Sequence, residues 1–498
     1  MSLDAIRKQL NKLEQQFSGS LDAFDHYLKD SVLPEHKESA INLLQYLTLR
    51  KKNIMSLQGM LHEKGLSSLA SAESHIQRQV QEILMRLGNS FKSKQLSTLT
   101  ATQAKKIMAK NTNNLFGVVK KDAKVAIMVT IDSEEHMDKQ VLTQLMQRGM
   151  HIARINCAHD TPEVWEEMIH LIRKAEKATG LSCSIYMDLA GPKFRIHTRR
   201  NGKDIDKIAL EVGESLLLTE SEQSLQEVEG KTLFCQIPGL TSLLQKGNIV
   251  MIDDGMIEGI VTGNQLNGIQ ITIIRISGKP LLKSGKGINF PNTLIPIDSL
   301  TSDDISTLSF VKKHANLVGY SFVRSVEDLA FLHKHLYHGS LSKMPGLIIK
   351  VETPESVENL PNLLLYAMRY PNFGVMIARG DLAVEIGFER MSEIQEEILW
   401  LCEAAHTPAI WATQVLDQLN KTGIASRSEI TDAYKAAQAE CIMINKGKFT
   451  HLVLDTLSDI IQRSHRHHLK KRYEMQALSI AKKFMVKNLY KKQSPISA

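Results

Sequence analysis

Residues 125–130 read VAIMVT, 151–155 read HIARI and 183–188 read CSIYMD. Each run is apolar and too short for a helix, and amphipathic segments of helical period lie between them. The same rhythm continues at NLVGYS (316–321), GLIIK (346–350), FGVMIA (373–378), PAIWA (408–412) and CIMI (441–444). Strands that alternate with helices form a parallel sheet covered on both faces. Eight such units predict an α/β fold, a closed (β/α)₈ TIM barrel.

The flanks differ in texture. Residues 197–285 carry short strands with turn signals, NIVMI, Asp-Asp-Gly, MIEGIVT, GNQLNG and IQITIIRIS, which predict a small antiparallel β-barrel domain inserted after the third barrel strand. Residues 1–118 read as an all-helical N-terminal domain. Leu3, Ile6, Leu10, Leu13 and Phe17 share one helix face, as do Ile76, Val80, Ile83, Leu84 and Leu87. This domain is a packing or interaction module, and nothing in it points to chemistry. The polar stretches SKQLSTLTATQAKK (93–106) and KNTNN (110–114) read as a connection. The barrel then occupies 119–196 and 286–464, with a last helix over 449–463, and 465–498 form a basic tail.

Charge is unevenly placed. The chain has 498 residues and a formal net charge of +7, but ten Lys and Arg fall within 463–492 beside one acid, Glu474. The rest carries 51 basic and 53 acidic residues, so the body is nearly neutral and specific nucleic-acid binding is not indicated. In the tail, Leu478, Ala481, Phe484, Met485 and Leu489 can share a helix face ringed by lysines. That pattern suits an anionic membrane surface or an acidic protein partner, but a solvated terminal helix packed on the body fits it somewhat better. His465, His467 and His468 resemble a metal cluster but also fit a solvated basic stretch. No apolar run approaches the roughly 20 residues that cross a bilayer, and the N-terminus does not read as a secretory signal. The five scattered cysteines fit a reducing cytoplasm better than a disulfide framework or a zinc site.

In a barrel, chemistry is expected just past the C-terminal ends of the strands. Arg154 and Asn156 follow the second run, and Asp188, Lys193 and Arg195 the third. Ser321 and Arg324 follow the fourth, Lys350 and Glu352 end the fifth, Arg379, Gly380 and Asp381 end the sixth, and Thr413 and Gln414 the seventh. Charged groups directly after buried strands are costly unless they share a polar pocket. Arg154, Lys193, Arg195 and Lys350 would then converge on anionic oxygen, with phosphate the expected group. Glu352 and Asp381 are the hard oxygen donors that Mg²⁺ or Mn²⁺ accepts beside substrate oxygens. Phosphoryl transfer needs such a set. Arg324 and Arg379 fit a structural ion pair as well as a site.

These segments carry a resemblance. IARINCAH (152–159), DLAGPKFR (188–195), GKGINFPN (285–292), SFVRSVEDL (321–329), GLIIKVETPESVEN (346–359), VMIARGDLAVEI (375–386) and AIWATQVLDQL (409–419) resemble, in order, the motif series of the pyruvate kinases. VMIDDG (250–255) is similar to part of their inserted domain. The resemblance covers roughly 124–464 and implies transfer of phosphate from phosphoenolpyruvate to ADP, giving pyruvate and ATP, with Mg²⁺ or Mn²⁺. It implies a catalytic Lys350 with Arg154 and Thr413, and metal ligands Glu352 and Asp381. Gly380, Asp381 and Thr413 would hold the acid substrate, and Asn156, His159, Arg195 and Lys286 the nucleotide. Asn156 and Asp188 match the monovalent-cation region, where Lys193 replaces a family glutamate and its ammonium is expected to stand in for potassium. The resemblance therefore implies potassium independence.

Several positions depart from the family pattern. Asp132 in VTIDS (129–133) is expected to bring negative charge to the nucleotide side and weaken ADP binding. Ala158 lacks a cation-binding hydroxyl, and Asn445-Lys446-Gly447-Lys448 stands where the family has Ser-Gly-Glu-Thr-Ala. The family's large C-terminal domain is expected to be missing. Two other functions fit parts of the same sequence. One is a catalytically inactive scaffold that recruits partners through its terminal segments. The other is a metal-dependent enolate lyase on a similar barrel, against which the inserted domain and DLAGPKFR count.

Overall fold

The computed structural model describes residues 2–117, 125–220, 230–265, 267–291, 293–337 and 344–464, and the backbone of 468–469 and 472–473. The expected tail helix and the side chains of His465, His467 and His468 lie outside the described residues.

Eight strands close a parallel barrel: Ala126–Ile131, Ile152–Asn156, Ser184–Asp188, Leu317–Tyr320, Gly346–Val351, Phe373–Ala378, Ala409–Ala412 and Cys441–Ile444. Almost every residue in them is buried, because side chains point alternately into the barrel and towards the surrounding helices. The first and last strands pair in register, Ala126 beside Cys441, which completes the ring.

Barrel and N-terminal helices share one core. The helices Leu3–Asp30, Lys37–Arg50 and Ile76–Arg86 contribute Ile6, Leu10, Leu43 and Leu84 to the same apolar cluster as Leu363, Ile398 and Leu399 of the barrel's outer helices. Buried polar contacts fix the docking. Asn42 Nδ2 donates to Ala404 O at 2.7 Å, Asn111 Nδ2 to His406 O at 2.8 Å, and Ser39 Oγ lies 2.9 Å from His406 Nδ1. His36 Nε2 lies 3.0 Å from Tyr370 O. Of the face expected on the first helix, Ile6, Leu10, Leu13 and Phe17 are buried within the chain, whereas Leu3 is exposed.

The expected connection over 93–114 is corrected. Ala101–Phe116 is a helix, with Thr100 accepting from the Gln103 amide as its N-cap and Gly117 ending it. Ala and Lys favour a helix here, and KNTNN rides on it because Leu115 and Phe116 are anchored beyond. Both enter the barrel's own interior cluster with Met128, Tyr186, Ile348 and Met376. They close its N-terminal end. Gly346 begins the fifth strand, Gly374 is the second residue of the sixth, and both make room for them: a Cβ at either would come within 2.8 or 2.6 Å of a Leu115 methyl.

The inserted domain folds around its own core of Ile196, Leu218, Leu233, Val250, Ile271 and Phe290. Its sheet differs from the expected antiparallel barrel. Among the described residues the sheet is open, and Ser215–Thr219 pairs parallel with Lys231–Phe234. Strand Ile288–Asn289 joins it, and Ile295 still belongs to the core, so the domain extends past residue 285. Among the described residues no helix is long and apolar enough to cross a membrane.

Candidate active site

The register of adjacent strands assembles the site. Arg154 stands beside Tyr186, and Asn156 beside Asp188, which is two residues on from Tyr186 and shares its face. Asp188 is buried and fully engaged. Its Oδ2 accepts from Arg154 Nε at 2.8 Å and lies 2.6 Å from Nη2, and its Oδ1 accepts from Tyr186 OH at 3.1 Å and lies 3.2 Å from Lys350 Nζ. Gly319 on the neighbouring strand leaves the space, since a Cβ there would come within 2.6 Å of Asp188 Oδ1.

Lys350 sits at the centre. Its ammonium donates to Ser321 Oγ at 2.7 Å and lies 3.0 Å from Glu352 Oε1 in addition to the Asp188 contact, so its three donors have three acceptors. Burial works to lower this lysine, but Asp188 and Glu352 outweigh it and raise it above its ordinary value, so it stays charged. Burial likewise works to raise Asp188, and Lys350 and Arg154 hold it down. Glu352 is the exception: burial pushes its carboxyl up, and Asp381 adds to this against the pull of Lys350. A buried carboxylate raised in this way, with a second carboxylate near enough to add to the rise, is a donor pair that a divalent cation relieves. Among the described residues no three His, Cys, Asp or Glu gather into a fuller cage. The pair therefore fits Mg²⁺ or Mn²⁺, which complete their shell with water and substrate oxygen.

Strained backbone surrounds this cluster. Phe322 has φ of 54° and donates its amide to Glu352 Oε2 at 2.6 Å. Thr413, Gln414 and Leu416 have φ of 65°, 58° and 51°, and the Thr413 hydroxyl accepts from the Gly380 amide at 2.8 Å. Non-glycine residues rarely adopt this region, and such strain gathers where the surrounding fold fixes a site.

The other expected residues lie outside the central cluster. Lys193 does not reach Asp188. Its ammonium donates to Asp381 Oδ1 at 2.8 Å and lies 3.6 Å from Asp254 of the inserted domain. This corrects the expected ammonium beside Asn156 and Asp188: Asp188 is already neutralised, whereas Asp381 and Asp254 are not. Asn156 Oδ1 instead accepts from the Ala158 amide at 3.2 Å. Arg195 and Lys286 lie at the hinge, donating to Gly285 O at 2.9 Å and pairing with Asp253 at 2.7 Å. Burial, then Arg195 and Lys446, lower His159, which places these two cations on its side of the mouth. Arg324 holds the Ile295 and Ile297 carbonyls, and Arg379 grips Asp432, Ala412 O and Thr413 O, so both are structural.

Asp132 differs from expectation as well. Lys446 lies 2.9 Å from its Oδ2 and His136 Nδ1 3.0 Å from its Oδ1, so its charge is met locally. Two of the unusual residues, Asp132 and Lys446, answer each other. Thr130, whose hydroxyl accepts from Arg154 Nη1 at 3.0 Å, and Tyr186 were not foreseen as members of the site. Strand alternation was the signal that placed them on the inner face.

A family model described as "Pyruvate kinase, barrel domain" matches residues 122–449. The chain belongs to the pyruvate kinase family. The pyruvate kinase of Geobacillus stearothermophilus is 32% identical over 318 residues, 63% of this chain and 51% of that protein. That of Kluyveromyces lactis is 27% identical over 348 residues, 68% of this chain and 66% of that protein. That of Bacillus licheniformis is 29% identical over 372 residues, 72% and 60% of the two chains. The chain thus spans about half to two thirds of the length of these pyruvate kinases.

Proposed function

We propose that this protein is a pyruvate kinase-like phosphotransferase, converting phosphoenolpyruvate and ADP to pyruvate and ATP. The observation that supports this most is the buried cluster of Lys350, Arg154, Asp188 and Glu352 at the barrel mouth, with Asp381 close enough to act on Glu352. Arg154 uses three of its five N–H groups on Asp188 and Thr130, which leaves two for a phosphate. A divalent ion on Glu352 and Asp381, Mg²⁺ or Mn²⁺, would supply Lewis-acid charge to the substrate's oxygens.

In this reading a terminal ADP oxygen attacks phosphorus, the bond from phosphorus to the enol oxygen breaks, and the enolate of pyruvate remains. Lys350 is fixed where that negative charge develops, and it can exchange its longest contact, to Asp188, for the new oxygen. The Thr413 hydroxyl accepts from Gly380, so its own proton is free to pass through water to the enolate carbon. His159, Arg195, Asn156 and Lys286 line the nucleotide side. Potassium independence is part of the proposal: Asp188 is saturated by Arg154, Lys350 and Tyr186, and Ala158 offers no hydroxyl. Five free thiols support a reducing, cytoplasmic setting.

A catalytically silent reading has one observation in its favour: Lys193 already holds one Asp381 oxygen. A coupled assay of ADP-dependent pyruvate formation, with Glu352→Gln as control and with potassium or a large organic cation as the only monovalent ion, separates the two. Turnover that Glu352→Gln abolishes is expected, equal in both salts. No turnover, or turnover unchanged in the variant, refutes the enzyme reading, and strong activation by potassium refutes the cation reading.

A further inference from the structure

A second cleft lies beside the candidate active site, where the end of the inserted domain meets the barrel. It is a half-open cleft whose cavity proper is about 90 Å³. Phe194, Phe290, Ile295 and Phe322 give it apolar walls, and two carboxylates, Glu355 and Glu385, line it as well.

The charges there do not balance. Arg324 also lines the cleft, but it is committed to the Ile295 and Ile297 carbonyls and to Asp328. Lys193 stands at its edge and is committed to Asp381. Among the described residues neither Glu355 nor Glu385 has a cationic partner. Among the described residues Glu385 accepts from a neutral donor, Asn289 Nδ2, at 2.7 Å. Burial pushes its carboxyl up to about 7, with Glu355 and Asp381 adding to the rise over the Asn289 bond. The cleft holds a further unmet group: Thr293 Oγ1 is buried and has no hydrogen-bond partner among the described residues. Buried polar atoms are normally satisfied, so an unmet hydroxyl beside two carboxylates that have no cationic partner among the described residues points to a missing ligand.

We propose that this cleft binds a small organic ammonium with an apolar body. The ammonium brings hydrogen-bond donors and one positive charge to Glu355, Glu385 and the Thr293 hydroxyl, and the body covers the aromatic walls. An anion is repelled by the two glutamates, and a bare metal ion leaves the apolar walls wet. The site is separate from the catalytic cluster yet touches it, since the Phe322 amide holds Glu352.

The test uses the full chain and phenethylammonium as the probe, with 2-phenylethanol and phenylacetate as neutral and anionic isosteres. Calorimetric titration and thermal melting should show saturable binding of the ammonium, at least about tenfold tighter than the alcohol, a difference of about 1.4 kcal/mol, with no binding of the acid. The double variant Glu355→Gln, Glu385→Gln should lose that preference while melting cooperatively. If it does not fold, Glu355→Gln alone should weaken the ammonium and leave the alcohol unchanged. Equal binding of the alcohol, ammonium binding that survives the variants, or no saturable binding overturns the proposal. So does displacement of the probe by Mg²⁺ at constant ionic strength, which would make the carboxylates a metal site.

Discussion

Lys350 does its work through a network that also holds it still. Lys350→Met removes the cation but leaves Asp188 paired with Arg154, so the barrel should still fold. Phosphoryl transfer should fall by about 10³-fold or more, as when a preorganised donor is removed, while Mn²⁺ binding, followed by electron paramagnetic resonance, persists. Retained turnover in this variant would remove Lys350 from the chemistry. A second residue-scale prediction concerns Asp132. Burial works to raise its carboxyl, but the Glu135 amide, Lys446 and His136 outweigh it and hold it below its ordinary value. A depressed carboxyl stabilises the fold above the unfolded pKa, near 3.9, and loses that contribution as pH falls through the folded value. Lys446 is half exposed, so the pair is worth about 1 kcal/mol or less. Urea unfolding should show Asp132→Asn less stable than the native chain at pH 7, with the gap closing below about pH 4.

At the scale of elements, the helix Ala101–Phe116 acts as a stopper in the barrel's N-terminal end. Leu115→Ala removes a buried side chain from a tightly packed interior and should cost about 2–5 kcal/mol in chemical denaturation. The glycines around it separate two effects. Gly346→Ala would strike the tips of Leu115 and Leu317, at 2.8 and 3.0 Å, whereas Gly374→Ala also meets the Pro408 backbone carbonyl at 2.9 Å. Adding Leu115→Ala should therefore relieve much of the damage of Gly346→Ala and little of that of Gly374→Ala. Equal relief in both backgrounds would show that Leu115 is not what the glycines accommodate.

For the whole molecule, the N-terminal helices and the barrel should unfold as one body. Their shared core and the contacts of His36, Ser39, Asn42 and Asn111 tie them into one packed unit among the described residues. Burial lowers His36, and its bond to Tyr370 O only partly offsets this. The folded protein binds a proton on that ring less readily than the unfolded chain, which does so below about pH 6.5, so its contribution is full above that pH and declines below it. Thermal melting from pH 8 to pH 5 should show a steeper decline in the native chain than in His36→Gln. Two separate melting transitions, one per domain, would contradict the single core.

The eight apolar runs were legible in the sequence because a doubly covered strand is apolar at nearly every position, and a helix-period segment beside it leaves few alternatives. The order of Arg154, Asp188, Lys350, Glu352 and Asp381 at successive strand ends was legible for the same reason: strand direction fixes which end a residue reaches. The 93–114 stretch was misread because its polarity reports solvent exposure, while the contacts that hold it as a helix belong to the barrel interior, remote in sequence. Partner choice was beyond the sequence too. Lys193 turns to Asp381 and Asp254, and Lys446 to Asp132, because a long flexible ammonium settles on whichever carboxylate is still unneutralised. Chain order determined the set of groups at the barrel mouth; only tertiary structure decided which charges met, since that depends on distances of a few ångströms between segments hundreds of residues apart.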